Sequence, residues 1–138
     1  MSSSEHPLAH KPIYDSRYLE YIELFNEREF YDCHEVLEDL WLDDWGDRKK
    51  FYQGLIQFAT AFYHLYRRNM SGCEKLLASS KSYLSRYPDF FEGLDLAELR
   101  GVIHYWQLKL AARHADEIVP YDDSKIPMLK LRDTQAES

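Results

Sequence analysis

Cysteine is scarce: Cys33 and Cys73 are the only two in 138 residues, and they do not form a C-x-x-C pair. That excludes a disulfide framework and leads us to expect a reduced, cytoplasmic protein. Basic runs are equally short, reaching only Arg48-Lys49-Lys50 and Arg67-Arg68, and the formal net charge is -7. A nucleic-acid partner normally needs a basic stripe to displace counterions, so DNA and RNA are not expected as partners. Long apolar runs are missing too. The longest uncharged stretch, Phe51 to Tyr66, is too short for a membrane span and contains two glutamines and a histidine, so no membrane partner is expected. The opening MSSSEHPLAHKP lacks the apolar block of a secretory signal, which fits the same compartment. No segment alternates with period two, which argues against a sheet.

What the chain does have is apolar and aromatic residues, at 45% and 15% of its length, with eleven tyrosines and three tryptophans. That is enough for one core without staples. Residues 1–13 read as a flexible arm. Asp15 or Ser16 can cap a first helix carrying Tyr18, Ile22 and Phe25 on one face and ending near Arg28. A second helix is expected from about Phe30 to Asp44, with Phe30, His34, Leu37 and Trp41 inward and Glu38 about 40° round from His34. A third follows the break at Gly46-Asp47 and ends at Arg67-Arg68-Asn69. Ser71 with Glu74 reads as a capping box for a fourth, which carries Leu76, Leu77, Leu84 and Tyr87 and stops before Pro88. After a loop over 88–94, Asp95 with Glu98 opens a fifth through about His114, with Leu99, Val102, Ile103, Trp106 and Leu110 inward. The expectation is an all-α domain over 14–116, a single bundle of about five mostly antiparallel helices, followed by an irregular tail over 117–138 in which Asp122 and Asp123 are solvated.

The third helix carries the most informative pattern. Gln53, Gln57, Thr60 and His64 lie four, three and four residues apart, within an arc of about 60° at 100° per residue. A helix apolar all round is normally buried, so this polar stripe is expected to face partners inside the protein, with His34 and Glu38 the best candidates and Trp41 completing their side. Several readings fit. The cluster can be a structural network completed by water. His34, Glu38 and His64 form a candidate divalent-metal set, though neither the paired Glu-x-x-His pattern of ferritin-like bundles nor H-E-x-x-H is present. The two glutamines and two histidines can instead present donors and acceptors to a small polar ligand, with Trp and Tyr rings around it. In an enzyme, His34 oriented by Glu38 would be the general base, but no nucleophile stands beside it, since Cys33 points about 100° away. A fourth reading places function on the surface, as a helical adaptor or homo-oligomer contacting partners through Asp43-Asp44-Trp45 and the Tyr87-Pro88-Asp89-Phe90-Phe91 loop. No cofactor is expected beyond a divalent metal. His6, His10, His104 and His114 share no spacing with the stripe and are expected in solvent or at the core edge.

The order of Phe25-Asn26, His34-Glu35-Val36-Leu37-Glu38-Asp39-Leu40-Trp41, Tyr52-Gln53-Gly54-Leu55-Ile56-Gln57, His64, Asn69, Gly72 and Leu76-Leu77 resembles the domain of unknown function 309 family over roughly residues 25–87. The resemblance implies a small intracellular all-helical domain and no established activity, so no catalytic residue is carried over. Cys73 stands where such proteins often have alanine.

Overall fold

A computed structural model describes residues 14–132. Five helices carry the fold: α1 (Ser16–Asn26), α2 (Phe30–Asp43), α3 (Lys49–Tyr66), α4 (Met70–Leu84) and α5 (Leu96–Ala111). Short corners join α1 through α4, so successive helices run antiparallel. Ten of the eighteen residues of α3 are buried, making it the axis of the bundle. α4 packs on it most extensively, with α2 on the other flank. The approach of α4 is closest at Gly54, where a side-chain Cβ would stand 2.8 Å from Leu84 Cδ2. Ser80, fully buried on α4, donates to the Gly54 carbonyl at 2.7 Å. α1 reaches α3 through rings: Phe25 stacks on Phe58 at 5.4 Å, and the Tyr21 hydroxyl donates to the Leu55 carbonyl at 2.6 Å.

The helix ends follow their caps. Asp15 accepts from the Arg17 amide, and Asp95 accepts from the Glu98 amide, as their sequence positions suggest. The start of α4 is different: Asn69, and not the Ser71–Glu74 box, is the cap, accepting from the Gly72 amide. Asn69 is placed there because α3 stops with Arg68 in the left-handed region, at φ 64°. The amides of Arg68 and Asn69 then bond back to the carbonyls of Leu65 and His64, a Schellman stop. α1 ends the same way at Arg28, φ 66°, with Arg28 and Glu29 bonding to Phe25 and Leu24.

Contrary to the sequence reading, one pair of strands forms. Phe90–Phe91 and Leu94–Asp95 make a minimal antiparallel hairpin around Glu92-Gly93, both at positive φ. Each strand is two residues long, too short to show alternation, and the turn is what makes it. The aromatic loop packs back on the body, with Phe91 and Tyr87 at 4.9 and 5.7 Å from Phe51. Of the rings at the proposed contact points, only Trp45 is largely exposed, at 88%.

The segment after α5 is irregular, with a single 3-10 turn at Asp123–Lys125, yet through Arg132 it lies strapped across the bundle. Val119, Ile126 and Leu129 are buried. Asn26 binds the Leu129 backbone with both halves of its carboxamide, at 2.8 and 2.6 Å. The Trp106 indole donates to the Lys125 carbonyl at 3.0 Å. Asp123 is therefore not simply solvated: Arg28 pairs with it at 2.8 Å and also donates to the Ile126 and Pro127 carbonyls. Residues 1–13, including His6 and His10, lie outside the described residues.

Two left-handed arginines thus have unequal duties, and substitution separates them. Arg68→Gly is expected to leave stability unchanged or raise it by up to about 1 kcal/mol, since glycine relieves the αL strain at the cost of a freer unfolded chain. Arg28→Gly should lower it by about 1–2 kcal/mol, because the strap loses charge-assisted bonds. Chemical denaturation of the two variants checks the contrast.

Candidate functional site

The core face of α2 is Phe30, Cys33, Leu37 and Leu40, spaced three, four and three. This face is centred well round the helix from His34, so His34, Glu38 and Trp41 sit on its shoulder and are half-buried, not inward-pointing. Spacing with Phe30 and Leu37 places His34 and Trp41 inward in the sequence; in the structure Cys33 and Leu40 hold those places, the Cys33 thiol 3.4 Å from the Tyr21 carbonyl. On α3 the polar stripe is likewise half-buried: Gln53, Gln57, Thr60 and His64 mark a line along which this helix meets water. Helix α3 is therefore not buried all round. Amides, a hydroxyl and an imidazole suit such a rim, where part of each group stays hydrated.

Two contacts bracket the rim and fix its direction. At one end Tyr31 of α2 meets Tyr63 of α3, ring centroids 5.4 Å apart. At the other, Lys49 of α3 stands 4.0 Å over the Trp41 ring and donates to the Trp41 carbonyl at 2.7 Å. Along this rim His34 and Glu38 on α2 and Gln53, Gln57 and Thr60 on α3 are all half-buried.

The seven predicted site residues divide by what they touch. Thr60 bonds to its own helix, at the Ile56 carbonyl, 2.8 Å away. Trp41 is covered by Lys49. His64 belongs to the α3–α4 corner: its Nδ1 lies 3.2 Å from the Asn69 amide nitrogen, whose other half caps α4. Gly72 completes that corner, since a Cβ there would fall 2.5 Å from Asn69 Nδ2. The corner holds His64 as the neutral acceptor of the Asn69 amide. Burial, and then the nearby Arg67 charge, keep its pKa below the ordinary histidine value.

What remains is His34, Glu38, Gln53 and Gln57. His34 Nε2 and Glu38 Oε1 are 4.0 Å apart, too long for a hydrogen bond, with side chains 33% and 47% exposed. Two inner atoms of this set, His34 Nδ1 and Gln57 Oε1, are buried without a hydrogen-bond partner. The candidate metal set is not assembled: among the described residues no three His, Cys, Asp or Glu side chains converge to hold an ion. His64 is drawn to Asn69 instead. Neither cysteine offers a nucleophile, because burial pushes both thiols up, Cys73 to about 12. His104 and His114 are exposed, as expected for residues outside the stripe.

Sequence reasoning missed a concavity, near 440 Å³, where the start of α2 and the end of α3 meet the strap. Its signal was the tyrosines at 31, 63, 66 and 121, whose convergence required knowing that the tail returns. The apolar residues Val119, Ile126 and Leu129 hinted at that return.

The lowered His64 pKa gives a signed pH dependence. The neutral ring is favoured in the folded chain, so its contribution is complete above the unfolded value of about 6.5 and is lost as pH falls through the lower folded pKa. Ring titration by NMR should place the His64 midpoint below 6.5, and His64→Asn should flatten the loss of stability on acidification. A midpoint at or above that value contradicts the corner geometry.

Comparison with known proteins agrees with the residues quoted at the outset. The profile of the family described as domain of unknown function (DUF309) matches residues 18–76, which cover α1 to the middle of α4. An uncharacterized protein of Bacillus subtilis (strain 168), YpuF, is 32% identical over 120 residues, spanning 83% of this chain and 69% of that protein. An uncharacterized protein of Aquifex aeolicus (strain VF5) is 31% identical over 80 residues, 57% of this chain but only 24% of its own length. The chain belongs to the DUF309 family, whose matched segment contains the α2–α3 rim and the His64–Asn69–Gly72 corner.

Proposed function

We propose that this protein is a cytoplasmic binding module, and that its ligand is a small polar molecule held on the open rim between α2 and α3. The observation that carries the reading is the pair of buried, unpartnered atoms His34 Nδ1 and Gln57 Oε1. Leaving such atoms unanswered costs roughly 1–3 kcal/mol each, so a purely structural cluster has reason to satisfy them internally. Other residues that carry the family resemblance do so: the side chains of Asn26, His64 and Asn69 all have hydrogen-bond partners, and the Gly54 carbonyl has Ser80. The ligand best matched to the pair offers one donor to Gln57 Oε1 and one group complementary to His34 Nδ1, with Glu38 and Gln53 at the mouth. An enzymatic role finds less support, because no nucleophile adjoins His34 and its distance to Glu38 is too long to orient the ring.

A site of this kind sacrifices stability for function, and that is measurable. Gln57→Met should leave the melting temperature unchanged or raise it, by up to about 1 kcal/mol in stability, because an unanswered buried acceptor is replaced by an apolar group of similar length. A loss of about 2 kcal/mol or more would show that Gln57 is answered within the fold, and the ligand reading would then fail.

A further inference from the structure

The concavity beyond the α2–α3 rim is lined by aromatic faces and acids in a combination that selects charge. We propose that it binds an organic cation of the alkylammonium class. Tyr31, Tyr63, Tyr66 and Tyr121 supply the walls, with Phe30 beneath them. The rings are not stacked on one another: Tyr31 and Tyr63 are tilted by 47° at 5.4 Å, and Tyr66 and Tyr121 stand at 86° at 5.5 Å. Rings set at angles present faces and edges to a shared space, and a ring face attracts a cation through its quadrupole. One of these rings already does so, since the Arg67 guanidinium lies 5.6 Å from the Tyr63 centroid. Tyr31 and Tyr66 are 52% and 67% exposed, so their faces are open to an incoming group.

Charge at the rim is mixed, and one carboxylate there is unpaired. Arg28 also lines the space, but its guanidinium is held by Asp123 at 2.8 Å and by two backbone carbonyls. Glu29, exposed beside it, forms no ion pair among the described residues and leaves a carboxylate uncompensated. The whole chain carries -7, which adds long-range attraction for cations. A volume near 440 Å³ accommodates a trimethylammonium head with its short chain. Arg67 against Tyr63 is a further cation near the space, so selection rests chiefly on the ring faces, with Glu29 adding to them. This inference is independent of the α2–α3 rim reading, because it uses none of His34, Glu38, Gln53 or Gln57.

Choline chloride is the probe, with its neutral isostere, in which carbon replaces the quaternary nitrogen, as the control. Titration of the full chain with each, followed by tyrosine ring NMR shifts, is expected to give saturable shifts with choline in the millimolar range. The isostere should bind about tenfold more weakly, the factor that one or two cation–π contacts supply. Tyr66→Ala and Glu29→Gln, both at exposed positions and checked for folding by circular dichroism, should each weaken choline at least about threefold. Absence of a saturable shift, equal binding of the isostere, or wild-type affinity in either folded variant overturns the proposal.

Discussion

An eighteen-residue helix whose last sixteen positions carry no Asp, Glu, Lys or Arg must be covered, and the rest of the chain is arranged to cover it. The interior of α3 is Phe51, Leu55, Phe58, Ala59, Phe62 and Leu65, all essentially inaccessible. Its small residues determine where neighbours come close, above all Gly54, against which α4 presses with Leu84 and Ser80. Its large ones form an aromatic chain through Phe25, Phe58, Phe62 and Trp106 that ties α1 and α5 to the same core. Burial of this much ring area supplies most of the drive to fold, and the polar line along α3 is what such coverage leaves uncovered.

The helices themselves were legible because amphipathic spacing and caps are local signals. Asp15 and Asp95 each acted where their chemistry says they should, whereas α4 stops at Leu84, before the expected Pro88 boundary, and leaves Tyr87 in the loop. The cap at Asn69 was less visible than the Ser71–Glu74 pattern, because it depends on Arg68 adopting a left-handed conformation that arginine rarely takes. The hairpin and the strap were hidden for a different reason. Each is held by long-range partners, as where Tyr18 donates to the Glu92 carbonyl and Asn26 embraces Leu129, and no window of sequence contains both sides of such a bond.

The polar line on α3 was legible as a line and misread in depth. Spacing alone placed Gln53, Gln57, Thr60 and His64 on one line and brought His34 near it. It did not show that Cys33 and Leu40 would take the inner positions of α2, a rotation that lifts His34 to the rim. The difference between a sealed cluster and a half-open rim matters chemically. In a sealed cluster an unpartnered imidazole nitrogen would be close to intolerable; at a rim it is a modest standing cost that a bound molecule can remove.

The embrace of Leu129 by Asn26 bears on how the chain is assembled. Neighbouring helices pair through turns of a few residues, so the four-helix body needs little loop closure and can condense early. The strap joins positions about a hundred residues apart and finds its seat only after α1 and α5 have framed it. It is accordingly the region where native-state opening should cost least, and opening it bares the Trp106 indole and dismantles one wall of the tyrosine-lined concavity without unravelling the helices. The integrity of that concavity is in this way tied to a local opening equilibrium distinct from global unfolding.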